Sequence, residues 1–300
     1  MPVIGSRGSA LALWQARWTA ARLESLGHSC RIEIIRTTGD KITDVALSKV
    51  GTKGLFTKEL EEALLAGAID LAVHSLKDMP TDLPAGLTIA AVPEREDPRD
   101  AVVGRRIEEL APGARVGTSS LRRAAQLHAA RPDLVIEPVR GNVDTRLRKL
   151  DEGQYDALVL AAAGLKRLGQ EGRIAEWIAP ERMCPAPGQG ALAVETRNAP
   201  DDAWELCHQL EHAPTRAAVE AERALLRGLG GGCQVPIGAY AIVTGDHLHL
   251  RAVVASPDGA CLLTRESTGP AAEAQHIGSE LASKLLADGA REILQEVYGA

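Results

Sequence analysis

The sequence predicts an α/β chain whose last third turns into an α+β domain. Three observations predict it. Through the first two-thirds, short apolar runs alternate with helical patterns, the rhythm of strand–helix–strand units around a parallel or mixed sheet. A charged, proline-bearing stretch, PEREDPRDA (93–101), interrupts that rhythm and reads either as a linker or hinge between domains or as an ordinary surface loop, after which the rhythm restarts. Beyond residue 214 the order becomes one helix, three strand-like runs joined by hairpin turns, and a long helical tail.

Taken in order, VIGS (3–6) is a strand and a helix runs from about Ala10 to Leu26. RIEIIR (31–36) alternates as a strand, KELEEALLAG (58–67) is a helix closed by Gly67, and DLAVHS (70–75) is the next strand. After the 93–101 interruption, ARVG (114–117), LVIEPV (134–139) and DALVLA (156–161) are strands. They alternate with helices over 120–130, 143–153 and 162–169. CPAPGQGA (184–191) is a loop that marks a second crossing between units. A helix over 214–228 runs into the glycines before Cys233, and strands follow at 239–243, 247–255 and 260–267. Their turns, Gly245-Asp246 and Ser256-Pro-Asp-Gly259, carry hairpin chemistry. The helical tail starts near Ala271, and no internal sequence repeat is evident.

Composition narrows the function. With 45% hydrophobic and 25% charged residues, the chain has material for a sizeable core, built from aliphatic side chains because aromatics are 3% and Phe56 is the single phenylalanine. A net charge of −6 argues against general nucleic-acid binding but leaves room for a local basic cleft. No apolar run approaches a membrane span, and the opening MPVIGSRGSALALW lacks the pattern of a signal peptide, so a cytoplasmic location is expected. Five cysteines with no C-x-x-C pair argue against a disulfide framework or zinc ribbon, and no metal site is expected. Four of them fit the default of small buried hydrophobes. Cys233, in GGGCQVPIG (230–238), does not, because glycine lets the backbone depart from ordinary conformations and lets a ligand approach.

Two further stretches carry chemistry. In VGTSSLRRAAQL (116–127), hydroxyls precede a helix start, where free N–H groups favour an anion, and Arg122 and Arg123 add forked donors. Simple capping with solvated arginines explains that stretch alone. More arginines at other strand-to-helix junctions weaken that explanation: Arg7, Arg140 with Arg146, and Arg167. Several cations there point to a substrate with several negative groups. HSLKDMP (74–80) follows a strand and holds His74, Lys77 and Asp78. It reads either as a polar surface turn or as a cleft in which Asp78 serves as acid, base or counter-charge. GTKGLFTKEL (51–60) does not fit a Walker A loop and reads either as a loop presenting Lys53 and Phe56 or as a segment without a substrate role.

Together these stretches resemble the porphobilinogen deaminase family. The motifs are RGSALALWQA (7–16), VGTKGLFTKELE (50–61), AVHSLKDMPT (72–81), EREDPRDA (94–101), VGTSSLRRAAQL (116–127), RGNVDTRL (140–147), AGLKRLG (163–169), PAPGQGAL (185–192) and GGGCQVPIGAY (230–240). They span nearly the whole chain in order, and Ala10, where the family pattern has proline, is a small departure. The resemblance implies a transferase of tetrapyrrole (heme, porphyrin) biosynthesis. It joins four porphobilinogens head to tail with loss of ammonia and yields the linear hydroxymethylbilane. It also implies a dipyrromethane cofactor bound by thioether to Cys233, whose surrounding glycines then leave room for the pyrrole pair.

By the same resemblance, Asp78 is catalytic, stabilising positive charge on pyrrole nitrogens or moving protons. Lys77, Thr118, Ser119, Ser120, Arg122 and Arg123 bind the cofactor, while Arg7, Ser9, Gln15, Arg140, Arg146, Arg167, Lys53 and Phe56 bind substrate or growing chain. Each added ring brings an acetate and a propionate, which accounts for the arginines. The family fold is α/β, with two doubly wound lobes like those of periplasmic binding proteins and a smaller α+β C-terminal domain. It implies domain 1 over 1–95 plus about 190–210, domain 2 over 98–186 and domain 3 over 213–300. A monomer that engages neither nucleic acid nor membrane is expected. The competing readings are a two-lobed anion or solute-binding protein without catalysis, which needs neither Cys233 nor a third domain, and a cysteine-nucleophile enzyme.

Overall fold

A computed structural model of the chain describes residues 1–38, 57–199, 201–231 and 235–298. It divides into two compact units, one comprising 1–96 and 191–216, the other 97–190 and 217–300.

The first unit is built on a five-stranded mixed sheet in the order β2-β1-β3-β10-β4. Its strands are β1 (Val3–Ser6), β2 (Arg31–Ile34), β3 (Leu71–Ser75), β4 (Leu87–Ala91) and β10 (Leu192–Arg197). β1 pairs in parallel with β2 and β3, and β10 is antiparallel to both β3 and β4. Residues of β3 alternate between faces, and both faces are apolar. Leu71 and Val73 pack with Ala16 and Leu23 of α1 (Ala10–Ser25) and with Leu206 of α6 (Asp202–His208). Ala72 packs with Leu60 and Leu64 of α2 (Lys58–Leu65). Helices on two faces make this sheet doubly wound.

The second unit contains another five-stranded sheet, ordered β7-β6-β8-β5-β9, from β5 (Asp100–Gly104), β6 (Arg115–Gly117), β7 (Val135–Glu137), β8 (Ala157–Ala161) and β9 (Ile174–Ile178). β6 is parallel to β7 and β8, while β5 is antiparallel to β8 and β9. Substituting β6, β7, β8, β5 and β9 for β1, β2, β3, β10 and β4 reproduces the order of the first sheet, a topological repeat that the sequence does not reveal. Val102, Val116 and Val159 pack under Leu127 of α3 (Leu121–Ala130). Val103, Leu158 and Leu160 pack under Leu147 of α4 (Val143–Asp151) and Leu165 of α5 (Ala162–Arg167).

The same unit holds a three-stranded antiparallel sheet, β11 (Ile237–Thr244), β12 (His247–Ala255) and β13 (Leu262–Pro270). Leu248, Leu250, Ala252 and Val254 of β12 face α7 (Ala213–Gly228), α8 (Ala274–Leu285) and α9 (Arg291–Tyr298) in one core. The two hairpins fall where the turn residues lie, and Gly245 and Gly259 have positive φ. The helical tail is broken at Gly289, also at positive φ.

α7 and α8 cross at glycines. A methyl group on Gly278 would fall well inside van der Waals contact distance of Ala221 O, and one on Gly228 would press on Ala282. A backbone oxygen cannot swing aside, so Gly278→Ala is expected to destabilise the protein by about 1–3 kcal/mol, read as a lower urea midpoint.

The strand–helix alternation agrees with the sequence reading. Strands β4, β5, β9 and β10, which complete both sheets, were not anticipated. Asp100, taken as the end of a linker, opens β5 instead. Among the described residues no helix is long and apolar enough to cross a membrane.

Candidate active site

In both α/β sheets the candidate residues follow the carboxyl ends of parallel strands, where such sheets bind ligands. In the first unit, β1 ends at Ser6, and Arg7 leads into α1, whose N-terminus is capped by Ser9 Oγ accepting from Ala12 N–H at 3.3 Å. Gln15, buried on α1, donates from Nε2 to Ser75 Oγ at 2.7 Å and so ties the helix to the end of β3. β3 then runs into a single 3₁₀ turn, Leu76–Asp78. The apolar Leu76 is 1% exposed and Met79 is 2% exposed, and between these anchors Lys77 is half-buried and Asp78 is exposed. Asp78 meets no hydrogen-bonding or ionic partner among the described residues. A carboxylate held on a buried scaffold with both oxygens free is poised for a ligand. His74 is different: it is 6% exposed, on the face toward α2, with Nε2 3.1 Å from Glu195 Oε2 but out of hydrogen-bonding alignment. It is a core residue and not an exposed base.

In the second unit, β6 leads into α3 through Thr118, Ser119 and Ser120. The sequence left the capping residue open between the two serines, and the structure assigns it. Ser120 Oγ accepts from Arg123 N–H at 3.4 Å, while Ser119 Oγ donates to Val139 O at 2.7 Å. Thr118 Oγ1 accepts from Ser120 N–H at 3.3 Å. Arg140 follows β7, and Arg146, on α4, donates from Nε to Gly141 O. Arg167 is not at a strand–helix junction but at the far end of the short helix α5, where Nη2 donates to Gly190 O at 2.7 Å.

Arg122 and Arg123 are not solvated. They are 3% and 6% exposed and share Asp100, which is fully buried. Arg122 Nη1 donates to Asp100 Oδ2 and to Cys184 O, each at 2.7 Å. Arg123 donates from Nε to Asp100 Oδ1 at 2.9 Å, from Nη1 to Val159 O at 3.1 Å and from Nη2 to Gln189 Oε1 at 3.4 Å. Burial alone would raise the Asp100 carboxyl. The two guanidinium charges and their hydrogen bonds overcome that and hold it well below the usual carboxylate range. Both guanidiniums stand in the first turn of α3, where the free N–H groups add positive potential. Arg122 Nε is also buried with no acceptor among the described residues. A buried, unsatisfied donor on a cation is costly unless something completes it. A ligand carboxylate would do so, and the donor set therefore fits an acidic cofactor.

Cys184 and Cys207 are buried, and burial pushes each thiol up to about 12. Cys30 is half-buried and Cys261 is exposed, so the expectation that four cysteines are buried holds for only two of them. Brief alkylation of the native protein is expected to mark Cys261 and spare Cys184 and Cys207 until denaturant is added, as peptide mapping would show. Cys233, Lys53 and Phe56 lie outside the described residues.

Asp100 and Gln189 are functional candidates that the sequence reading passed over. Both stood inside quoted motifs, EREDPRDA and PAPGQGAL, but were treated as crossing segments. The signal was an acid two residues beyond a proline and a lone amide between two glycines.

Comparison with known proteins follows this geometry. Residues 3–205 match the family model described as porphobilinogen deaminase, dipyromethane cofactor binding domain, and residues 216–287 match porphobilinogen deaminase, C-terminal domain. A porphobilinogen deaminase of Pelobacter propionicus is 53% identical over 299 residues, covering 98% of this chain and 96% of its own. One of Syntrophobacter fumaroxidans is 52% identical over 302 residues, covering 99% and 98%. Among solved structures, a periplasmic substrate-binding protein of Coxiella burnetii aligns with 74% of this chain and 97% of its own at TM-score 0.45 and 12% identity, too loosely to bear on function.

Proposed function

Because the chain belongs to the porphobilinogen deaminase family, we propose that it is a transferase that condenses four porphobilinogens into hydroxymethylbilane. In each step the aminomethyl carbon of one porphobilinogen loses ammonia and bonds to the free α-carbon of the preceding ring, which gives up a proton. Water releases the finished chain. A dipyrromethane held by thioether on Cys233 would supply the first free α-carbon when bound.

The buried Arg122–Arg123 pair, with Arg122 Nε meeting no acceptor among the described residues, is the observation that carries this reading from the family to this chain. In this reading it binds cofactor carboxylates together with Thr118, Ser119, Ser120 and Lys77. Arg7, Ser9, Gln15, Arg140, Arg146 and Arg167, with Lys53 and Phe56, receive the acetates and propionates of incoming rings. Asp78 faces the pyrrole N–H groups. Its free oxygens lower the energy of the cation that forms when ammonia leaves and again when the next ring attacks. The proton lost from the α-carbon passes to it or through it.

The same reading divides the chain into domains over 1–95 with about 190–210, over 98–186, and over 213–300. The core from Ala218 to Leu294 is built on the three-stranded sheet and the helices that cover it, which supports the last division. It also makes the protein a cytoplasmic monomer. Incubation with porphobilinogen tests the activity: four equivalents of ammonia should appear per hydroxymethylbilane. Saturable binding with no ammonia released would favour the solute-binding alternative.

A further inference from the structure

The loop 184–190 is a junction rather than a plain connection. Three of the arginines assigned to carboxylates anchor on it: Arg122 on Cys184 O, Arg167 on Gly190 O and Arg123 on the Gln189 side chain. Gln189 is fully buried, and its Nε2 also donates to Asp100 Oδ1 at 2.9 Å and to Pro98 O at 2.7 Å. The amide thus fixes the carboxylate that holds both guanidiniums.

The other side of this loop meets the three-stranded sheet. β11 is an edge strand, so alternate N–H groups along it lack a strand partner. Ala239 N–H donates to Pro185 O at 2.9 Å. Ala241 N–H donates to Glu222 Oε1 at 2.8 Å, and the second oxygen of that carboxylate accepts from Gly188 N–H at 2.6 Å. Glu222 is fully buried on α7. α7 and β11 are the two elements between which residues 229–236, and Cys233 among them, are strung. One carboxylate therefore joins both elements to the turn that bears Gln189.

We propose that Glu222 and Gln189 are positioning residues for cofactor attachment. They tie the Arg122–Arg123 pair to α7 and β11, the elements that flank Cys233 in the sequence, so that loss of either residue slows attachment. This rests on the reading that Cys233 carries the dipyrromethane. Replacing Glu222 with glutamine turns one acceptor into a donor facing a backbone N–H, and replacing Gln189 with methionine keeps the volume while removing the side-chain bonds to Asp100, Pro98 and Arg123.

The test starts from apo-protein of wild type, Glu222→Gln, Gln189→Met and, as a control, Glu220→Gln, a half-buried neighbour on the same helix whose carboxylate accepts from Gln275. Each is held well below its own unfolding temperature and given porphobilinogen, and intact mass follows the gain of two pyrrole units. The expected result is a rate of gain at least tenfold slower in Glu222→Gln and Gln189→Met, with Glu220→Gln unchanged. The double variant should be no slower than the slower single, because the two residues form one link. Wild-type rates in folded Glu222→Gln or Gln189→Met, or independent effects that multiply in the double variant, would overturn the proposal. If Glu222→Gln does not fold, Gln189→Met decides alone. A wild type that never gains mass would instead overturn the function reading.

Discussion

Replacing Asp78 with alanine is expected to leave a folded protein whose turnover falls by about 10²–10⁴-fold. Asp78 is exposed and bonded to nothing among the described residues, so its loss removes no native contact. Its neighbours hold the turn without it: Leu76 and Met79 are buried, Leu76 N–H donates to Ala191 O, and Met79 N–H donates to Leu76 O. Exposed substitutions of this kind change stability by roughly 0.5 kcal/mol or less. The loss should therefore appear in kcat, with little change in the urea midpoint or in cofactor content. Near-normal turnover in a folded Asp78→Ala protein would remove Asp78 from the reaction.

Asp100→Asn is expected to have the largest effect on stability, about 3–5 kcal/mol, because it leaves two buried guanidiniums without their counter-charge. The pH dependence follows from the sign of the shift. Asp100 is held below its unfolded value, so its contribution is complete above about pH 4 and is lost as pH falls toward the folded value. The gap in unfolding free energy between wild type and Asp100→Asn should be full at neutral pH and narrow progressively below about pH 4. Urea titrations at several pH values measure it. A gap that stayed constant into acid would mean that the ion cluster is not its source.

Much of this molecule could be read from the sequence, and the unread parts share a cause. β1, β3 and β8 announced themselves by short apolar runs, and β6 by ARVG just before the hydroxyls that open α3. β10 did not, because its LAVETR carries Glu195 and Thr196, both fully buried, where a strand signal asks for apolar side chains. β5 begins at Asp100 inside a charged stretch and was hidden by the residue that makes it important. Burial of charge is set by partners distant in sequence: Arg122 is 22 residues from Asp100 and Cys184 is 62 residues from Arg122. No local pattern reports such pairs. For the same reason Arg122 and Arg123 stood out as forked donors at a helix start while their shared carboxylate did not. The place of Asp78 after a strand was legible because a short strand followed by a polar turn needs no distant partner, whereas its role was implied only by the family resemblance.

The most direct measurement is the intact mass of the purified protein beside that of a Cys233→Ser variant. The account predicts that wild type exceeds its sequence mass by two pyrrole units and that the variant does not. A wild type at bare sequence mass that gains nothing from porphobilinogen would contradict it.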